Sequence, residues 1–247
     1  MFLNDIHEVK NQIESEGFCI LKNLVSKDLI NNFSSVIEEI EKDNNKYFFE
    51  LYAKHEYRPN IYKLMQNMAV INQIACDIDK QFKETKFYNN FSFKAPCISS
   101  GLLISVTGED KFLNPLHQDI YAYNSSRFLK FWIPMTQVDE FYGSLALYKG
   151  SHKLGYVAPS FKAENNHYPS LDEKIVMGFE KIVLDMPLGD GVIFDPLILH
   201  KSIKNVSETT RFTVGLDLHD LNFKDNFKDL EKYAKISKIR ASNRIKP

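Results

Sequence analysis

The sequence is short of cysteine and of long hydrophobic runs. Its 3 cysteines, Cys19, Cys76 and Cys97, have neither the spacing of a disulfide framework nor that of a zinc site. We interpret them as ordinary thiols of a protein that resides in a reducing compartment. No stretch approaches the roughly 18 apolar residues that a membrane helix needs. These features exclude a disulfide-stapled secreted domain and predict a chain that does not enter a membrane.

The sequence also lacks an excess of charge of either sign. Lys plus Arg number 31 and Asp plus Glu 32, so bulk charge gives no reason to expect a nucleic-acid partner. A small-molecule substrate is easier to accommodate. The opening "MFLNDIHEVKNQIESEG" carries acidic residues at helical spacing, unlike a secretory or transit signal, and "IKP" is no retention or peroxisomal signal. We therefore expect a cytoplasmic location. Composition does not indicate an oligomeric state.

Three amphipathic helices are predicted before the first long β segment. The first ends at Gly17, the second begins after an N-cap at Ser26, and the third begins after Pro59. A short strand, "FCILK", separates the first two. Their apolar faces, at three- and four-residue spacing, consist of Ile6, Val9 and Ile13; Leu29, Ile30, Phe33, Ile37 and Ile40; and Leu64, Met68, Ile71, Ile74 and Ile78. Such stripes are typical of helices that pack against a core.

From about residue 87 the pattern changes to short strands rich in β-branched and aromatic residues. These segments are "FYNNFSF", "GLLISV", "RFLKFWIPM", "SLALYKG", "KIVLDMPL", "GVIFDPLILHKSI" and "RFTVGLDL". Their number and spacing predict a mainly β fold, either a barrel or a double-sheet jelly roll. The polar stretch 159–180 interrupts the pattern as an inserted loop, which is either a lid, a substrate contact or a tolerated surface excursion.

No linker, repeat or low-complexity segment divides the chain. We therefore expect one domain over residues 1–247. Its helical part covers about 1–86, the β core about 87–220, and a helix or tail 221–247.

One pair of residues suggests half of a metal site. In "PLHQDIYAYN", His117 and Asp119 would project to the same side of a continuous strand, with Gln118 pointing away. A second histidine would complete the two-histidine, one-carboxylate set that binds Fe(II). Three histidines in polar surroundings are poor candidates: His7, His55 and His167. Three others remain: His152, His200 and His219.

His200 is the favoured third ligand because it ends the apolar run "GDGVIFDPLILH". A histidine carried into a core must satisfy its ring nitrogens, either by binding a metal or by hydrogen bonding. Ser202 lies two residues further along, on the same face. Arg211 opens the next apolar strand, where burying a guanidinium is costly unless a carboxylate meets it. The expected guest of such a site is a dicarboxylate.

Together these segments resemble the phytanoyl-CoA dioxygenase (PhyH) family of Fe(II)- and 2-oxoglutarate-dependent oxygenases. The resemblance lies in "PLHQD", "FWIPMTQVDEFYGSLALYKGSHK" and "GDGVIFDPLILHKSIKNVSETTR", with "IESEGFCILKNLVSKDLI" similar to the family's opening helix, strand and helix. It covers most of the chain, while residues 41–95 and 159–182 match only in general character. The resemblance implies a double-stranded β-helix, the cupin-like jelly roll, with the N-terminal helices packed outside.

The resemblance also implies roles for individual residues. His117, Asp119 and His200 match the iron ligands, and Arg211 matches the arginine that holds the distal carboxylate of 2-oxoglutarate. Ser202 matches the hydroxyl that assists this arginine, and Trp132 matches a tryptophan near the co-substrate. The implied cofactors are Fe(II), 2-oxoglutarate and O2. No residue is assigned to the 1-carboxylate of 2-oxoglutarate.

The implied activity is hydroxylation of a small metabolite or biosynthetic intermediate, with release of succinate and CO2. Desaturation, epimerisation or cyclisation could use the same iron site, and a non-catalytic PhyH-like binding protein is a further alternative. A halogenase is disfavoured because it needs a small residue where Asp119 stands. No polybasic patch marks a site for the 3′-phosphate of coenzyme A, which favours a small substrate over an acyl-CoA ester.

Overall fold

The computed structural model describes residues 5–44, 69–105, 113–122, 127–159 and 169–223. Some predicted features lie outside these ranges: Leu64 and Met68 of the third helix, residues 160–168 of the inserted loop, Tyr123 after the metal pair, and the helix or tail beyond 223. Within the ranges given, no helix has both the length and the apolar composition that crossing a bilayer requires.

The N-terminal helices form where their apolar stripes and caps predict. Helix α1 spans Ile6–Glu16, strand β1 Phe18–Leu21, helix α2 Lys27–Asn44 and helix α3 Ala69–Glu84. The Ser26 hydroxyl accepts a hydrogen bond from the Leu29 amide, as an N-cap does. Gly17 ends α1 in the left-handed conformation, which the absence of a Cβ makes accessible. The first two helices and the strand between them are confirmed, and the third is confirmed from Ala69 onward; its predicted start after Pro59 lies outside the described residues.

Seven further strands follow a short helix, α4, at Phe87–Asn90. Their bounds are Pro96–Ser105 (β2), Phe128–Pro134 (β3), Leu145–Tyr148 (β4), Lys181–Val183 (β5), Gly191–Phe194 (β6), His200–Ser202 (β7) and Arg211–Asp220 (β8). The larger antiparallel sheet has the order β1-β6-β3-β8-β2, and the smaller has the order β5-β4-β7.

The two sheets face each other, and the helices cover the outer side of the larger one. Trp132, Val192 and Phe194 of the larger sheet pack with Leu145 and Leu147 of the smaller sheet in one buried cluster. Alternate residues of the larger sheet point outward and join the apolar faces of α2 and α3 in a second, larger core. This is the jelly roll with outer helices that the sequence predicts.

Two strand predictions are wrong. The segment "FYNNFSF" contains the short helix α4, Phe87–Asn90, because Phe87 stacks on Phe82 of α3 with ring centroids 4.0 Å apart and is fully buried there. The segment "GVIFDPLILHKSI" forms two strands, β6 and β7. A turn separates them, in which the Asp195 carboxylate accepts a hydrogen bond from the Leu197 amide. His200 therefore begins a strand of the second sheet instead of ending one of the first.

The turn at Gly17 generates a stability prediction. Gly17 has φ of 91°, and an added Cβ would lie 2.6 Å from His152 Nδ1 and 2.9 Å from Ile198 Cδ1. We expect Gly17→Ala to lower the free energy of unfolding by about 2 kcal/mol or more, from left-handed strain plus overpacking. Chemical denaturation measures this change.

The control is Gly150→Ala. Gly150 has a similar φ of 76°, but the nearest atom to an added Cβ is 4.0 Å away. This variant should show only the backbone cost. An equal decrease in the free energy of unfolding in both variants would mean that the contacts around Gly17 relax without an energetic cost.

Candidate active site

Three side chains with metal-binding atoms meet between the two sheets. His117, Asp119 and His200 each contribute an atom to a group in which all separations are within 4.8 Å. Oδ1 of Asp119 lies 3.4 Å from Nε2 of His117 and 3.6 Å from Nε2 of His200. All three residues are buried, with relative exposures of 1%, 7% and 3%. Two imidazoles and one carboxylate therefore converge on one small volume.

Main-chain carbonyls fix both histidine rings in one orientation. Nδ1 of His117 lies 2.6 Å from the Pro115 oxygen, and Nδ1 of His200 lies 3.0 Å from the Ile198 oxygen. Because a carbonyl oxygen can only accept, each Nδ1 carries the proton. In the neutral ring Nε2 is then the nitrogen with a lone pair, and it faces Asp119. This is the outer hydrogen-bonding pattern common to metal-binding histidines.

Burial and charge set the protonation of two members of the group. Burial, followed by the charge of His200, lowers the pKa of His117, which favours the neutral imidazole. Burial alone would raise the pKa of Asp119. The charges of His200, when its ring is protonated, and of Lys130 outweigh it and hold that pKa well below its usual range. Asp119 is therefore an anion at neutral pH.

A pair of main-chain hydrogen bonds brings the two histidines together. The His117 amide donates to the His200 oxygen at 3.0 Å, and the His200 amide donates to the His117 oxygen at 3.1 Å. The segment "PLHQDIYAYN" was predicted as a strand, but its strand pairing consists of this single bridge. A 3-10 turn, Asp119–Ala122, begins two residues after His117 and ends the extended conformation. Asp119 thus reaches the group from the start of a turn.

Gln118 holds the segment between the two ligands. Its Nε2 donates to the carbonyl oxygens of Gly155 at 2.8 Å and Leu197 at 2.6 Å. Its Oε1 accepts from the Val157 amide at 3.0 Å. Gln118 is fully buried and points away from the histidines, as predicted. These three hydrogen bonds fix the orientation of Gln118 and of the main chain on either side of it.

The described part of the inserted loop packs against the two segments that carry His117 and His200. Leu171 donates its amide to the Leu116 oxygen at 2.8 Å. Leu116 and Leu199, which precede the two histidines, share a buried cluster with Val176 of this loop. Residues 169–180 therefore pack against the site instead of forming a detached excursion.

Arg211 lies on the inner face of β8 as a buried cation. It is 8% exposed, and its guanidinium carbon lies 5.5 Å from the ring centroid of Trp132. Burial lowers its pKa to about 10, so it remains protonated at neutral pH. Among the described residues, Nε of Arg211 has no hydrogen-bond partner. A buried cation with an unused donor is suited to an anionic guest.

Sequence reasoning missed Thr213, which also lies on the inner face of β8. Its side chain is fully buried, and its hydroxyl has no hydrogen-bond partner among the described residues. It also missed Lys130 of β3, whose Nζ lies 2.7 Å from Oδ1 of Asp217. The alternation of "RFTVGLDLHD", with polar residues at every second position except Gly215, could have identified the inner face of this strand.

The remaining candidates have more ordinary surroundings. Ser202 follows His200 on β7, and its hydroxyl accepts a hydrogen bond from the Asn114 amide at 3.3 Å. His152 lies in a turn with Nε2 3.1 Å from the Glu14 oxygen. His219 lies near the end of β8, with its ring centroid 5.3 Å from that of Phe128. The Tyr121 hydroxyl donates to the Val157 oxygen.

Two solved structures with this fold cover most of this chain. AviO1 from Streptomyces viridochromogenes superposes with a TM-score of 0.59 at 14% identity, covering 90% of this chain and 97% of its own. SnoK, a non-haem alpha-ketoglutarate-dependent carbocyclase from nogalamycin biosynthesis, gives 0.58 at 15% identity, covering 92% and 89%. At identities this low, the superpositions establish the shared fold and nothing more. That fold is the jelly roll predicted from the sequence.

Sequence comparison finds relatives among characterised enzymes. The mouse peroxisomal phytanoyl-CoA dioxygenase is 25% identical over 243 residues, which cover 84% of this chain and 66% of the mouse protein. The 1-deoxypentalenic acid 11-beta-hydroxylase of Streptomyces exfoliatus is 32% identical over 124 residues, covering 47% and 44%. The chain thus spans less than two thirds of either relative. The phytanoyl-CoA dioxygenase (PhyH) family matches residues 13–213, so the chain belongs to this family.

Proposed function

We propose that the protein is an Fe(II)- and 2-oxoglutarate-dependent dioxygenase. The observation that carries this proposal is the placement of His117, Asp119 and His200 around one volume. The same jelly roll holds the buried guanidinium of Arg211, whose Nε has no hydrogen-bond partner among the described residues. The reaction hydroxylates a small metabolite or biosynthetic intermediate and releases succinate and CO2.

The side chains fit iron through their donor set. Nε2 of His117, Nε2 of His200 and a carboxylate oxygen of Asp119 would hold the metal, as two nitrogens and one oxygen do in non-haem Fe(II) oxygenases. When bound, iron together with 2-oxoglutarate supplies the oxidation by O2 that converts the co-substrate to succinate and CO2 and oxidises a substrate C–H bond. Asp119 offsets part of the metal's charge. As metal ligands the two imidazoles add no negative charge, which leaves the site able to accept an anionic 2-oxo acid.

The chain's other residues bind and orient the co-substrate. Arg211 provides a planar fork that matches the distal carboxylate of 2-oxoglutarate. Trp132 packs against this guanidinium and restricts its position. Thr213, two residues along the same inner face, provides a buried hydroxyl for the same carboxylate. Ser202, beside His200 in β7, assists from the smaller sheet.

Other outcomes of the same site are desaturation, epimerisation and cyclisation, and a non-catalytic binding protein is the remaining alternative. Succinate release and O2 uptake, followed with candidate substrates, separate the enzyme from the binding protein. The products, analysed by mass spectrometry, distinguish hydroxylation from oxidation without oxygen incorporation.

The first prediction concerns the metal. His117→Ala and His200→Ala should each weaken Fe(II) binding by at least about a hundredfold and abolish turnover. Their main-chain bridge does not need the side chains, so both variants should fold. Anaerobic Fe(II) titration and metal analysis measure the loss, with unfolding as the check on the fold. His152→Ala, whose ring contacts Glu14, is the matched control and should bind iron normally. Normal iron affinity in both ligand variants would refute the assignment.

The second prediction concerns the co-substrate. Arg211→Lys should raise the dissociation constant of 2-oxoglutarate by about ten- to a hundredfold, because an ammonium cannot reproduce the bidentate fork. Ser202→Ala should have a milder effect. Isothermal titration of the metal-loaded protein measures both. An unchanged titration for Arg211→Lys would mean that this side chain holds another group.

The third prediction separates stability from binding at Thr213. Thr213→Val removes a buried hydroxyl that has no partner in the part of the chain that the structure describes, so the free energy of unfolding without ligands should rise by about 1 kcal/mol. Binding of 2-oxoglutarate should weaken about tenfold in the same variant. Thermal unfolding and calorimetric titration give the two values.

The matched control is Thr136→Val. The Thr136 hydroxyl accepts a hydrogen bond from the Phe212 amide at 3.0 Å, so its removal should lower stability and leave 2-oxoglutarate binding unchanged. Reduced stability in Thr213→Val would show that its hydroxyl has a partner. Unchanged co-substrate binding would place Thr213 outside the pocket.

A further inference from the structure

Two consecutive carbonyl groups in the turn between β6 and β7 hold the segment that carries the first two metal ligands. The Pro196 oxygen accepts a hydrogen bond from the Ile120 amide at 3.3 Å. The Leu197 oxygen accepts one from Nε2 of Gln118 at 2.6 Å. The main chain and the central side chain of this segment are therefore both attached to the turn.

The next carbonyl of the same turn orients the third ligand. The Ile198 oxygen accepts a hydrogen bond from Nδ1 of His200 at 3.0 Å. Three successive carbonyls thus face the ligand-bearing segments, and their directions set how the His200 ring lies relative to the other two ligands. We refer to residues 195–199 as the anchoring turn.

Each of these carbonyls shares a planar peptide unit with the amide of the following residue, and the two groups point in opposite directions. A partner that holds the amide therefore fixes the direction of the carbonyl. The Leu197 amide donates to Oδ1 of Asp195 at 2.8 Å, and the Ile198 amide donates to the main-chain oxygen of Asp195 at 3.0 Å. The Leu199 amide donates to Oγ of Ser151 at 2.8 Å.

Two side chains therefore act on the metal ligands through the main chain. The Asp195 carboxylate fixes the first peptide unit, whose carbonyl holds the amide of the residue after Asp119. The Ser151 hydroxyl is fully buried and fixes the third peptide unit, whose carbonyl holds the His200 ring. A hydrogen bond to the amide also makes the carbonyl of the same unit a stronger acceptor.

The end of helix α1 holds both of these residues in place. The Asp195 amide donates to the Gly17 oxygen at 2.8 Å, and the Gly150 amide, which precedes Ser151, donates to the Glu16 oxygen at 2.7 Å. Carbonyls at the end of a helix have no partner within the helix, so these bonds satisfy them. They also attach the anchoring turn to a regular element, which positions a site more closely than a free loop does.

On the basis of the proposed function, we propose that Ser151 and Asp195 are positioning residues of the metal centre. Ser151 sets the direction of the His200 ring, and Asp195 sets the position of the segment between His117 and Ile120. Both act through a peptide unit, so their removal changes the geometry of metal binding without removing a ligand.

The first test uses the full chain without metal. At alkaline pH, where an imidazole is neutral, the ring-nitrogen NMR shifts of His200 show which nitrogen carries the proton. The wild type should show one form, protonated at Nδ1. Ser151→Ala should also populate the form protonated at Nε2, because the carbonyl that accepts from Nδ1 is no longer held. The matched control is Ser144→Ala, which removes an equally buried hydroxyl that donates to the Leu184 oxygen, and it should keep the wild-type shifts.

The second test replaces iron with Co(II), whose visible absorption depends on the geometry of its ligands. Asp195→Ala should bind Co(II) at least about tenfold more weakly than the wild type and with a changed spectrum. Asp195→Asn should behave as the wild type. Burial raises the pKa of Asp195, so the position disfavours a charge and an uncharged acceptor of the same shape should serve. Asp195→Ser, whose hydroxyl forms this turn more weakly, should fall between them and replaces Asp195→Ala if that variant does not fold.

The matched control for this test is Asp139→Ala. Oδ1 of Asp139 accepts hydrogen bonds from the Phe141 and Tyr142 amides at 2.7 and 2.8 Å, in the turn between β3 and β4. Loss of this carboxylate should lower stability and leave the affinity and the spectrum of Co(II) unchanged.

Wild-type ring shifts in Ser151→Ala, or a wild-type affinity and spectrum in Asp195→Ala, would overturn the role of that residue. An Asp195→Asn variant as impaired as Asp195→Ala would show that the charge acts, and not the peptide unit. Failure of the proposed function has a different signature, because the wild type would then not bind 2-oxoglutarate. The ring shifts, which are measured without metal, would still decide the role of Ser151.

Discussion

The site depends on the reciprocal hydrogen bonds between the main chains of His117 and His200. This bridge joins the segment around His117, which lies outside the named strands, to the first residue of β7. It brings the ring centroids of the two imidazoles to 4.1 Å from each other. The other features described around it, including the Gln118 side chain and the cluster of Leu116, Leu199 and Val176, hold the bridge in place. A main-chain interaction sets the distance between the histidines, so their side chains remain available for ligand binding.

The chemistry of the site was more predictable than its geometry. Residue types and spacing, together with the resemblance to the PhyH family, selected His117, Asp119, His200 and Arg211, and the structure brings the first three together. The strand predicted through His117 and Asp119 was wrong because the conformation at Gln118 is set by hydrogen bonds to residues more than 30 positions away. Local propensity contains no information about such partners.

The same limit explains the errors in the fold. The helices and most strands follow from apolar periodicity, which is a local signal of burial. The helix α4 was missed because its aromatic residues have strand propensity, whereas their environment, the stack on Phe82, is tertiary. The inner face of β8 is different. Its alternation was visible in the sequence, but the meaning of Thr213 and Asp217 required knowledge of which face of the strand points toward the smaller sheet.

The two halves of the proposed site belong to different sheets. His200 lies in β7 of the smaller sheet, whereas Arg211 lies in β8 of the larger one, and packing of apolar side chains holds these sheets face to face. A molecule that contacts both residues connects the two sheets. Part of its binding free energy then opposes separation of the sheets, so occupancy of the site and cohesion of the jelly roll are thermodynamically linked.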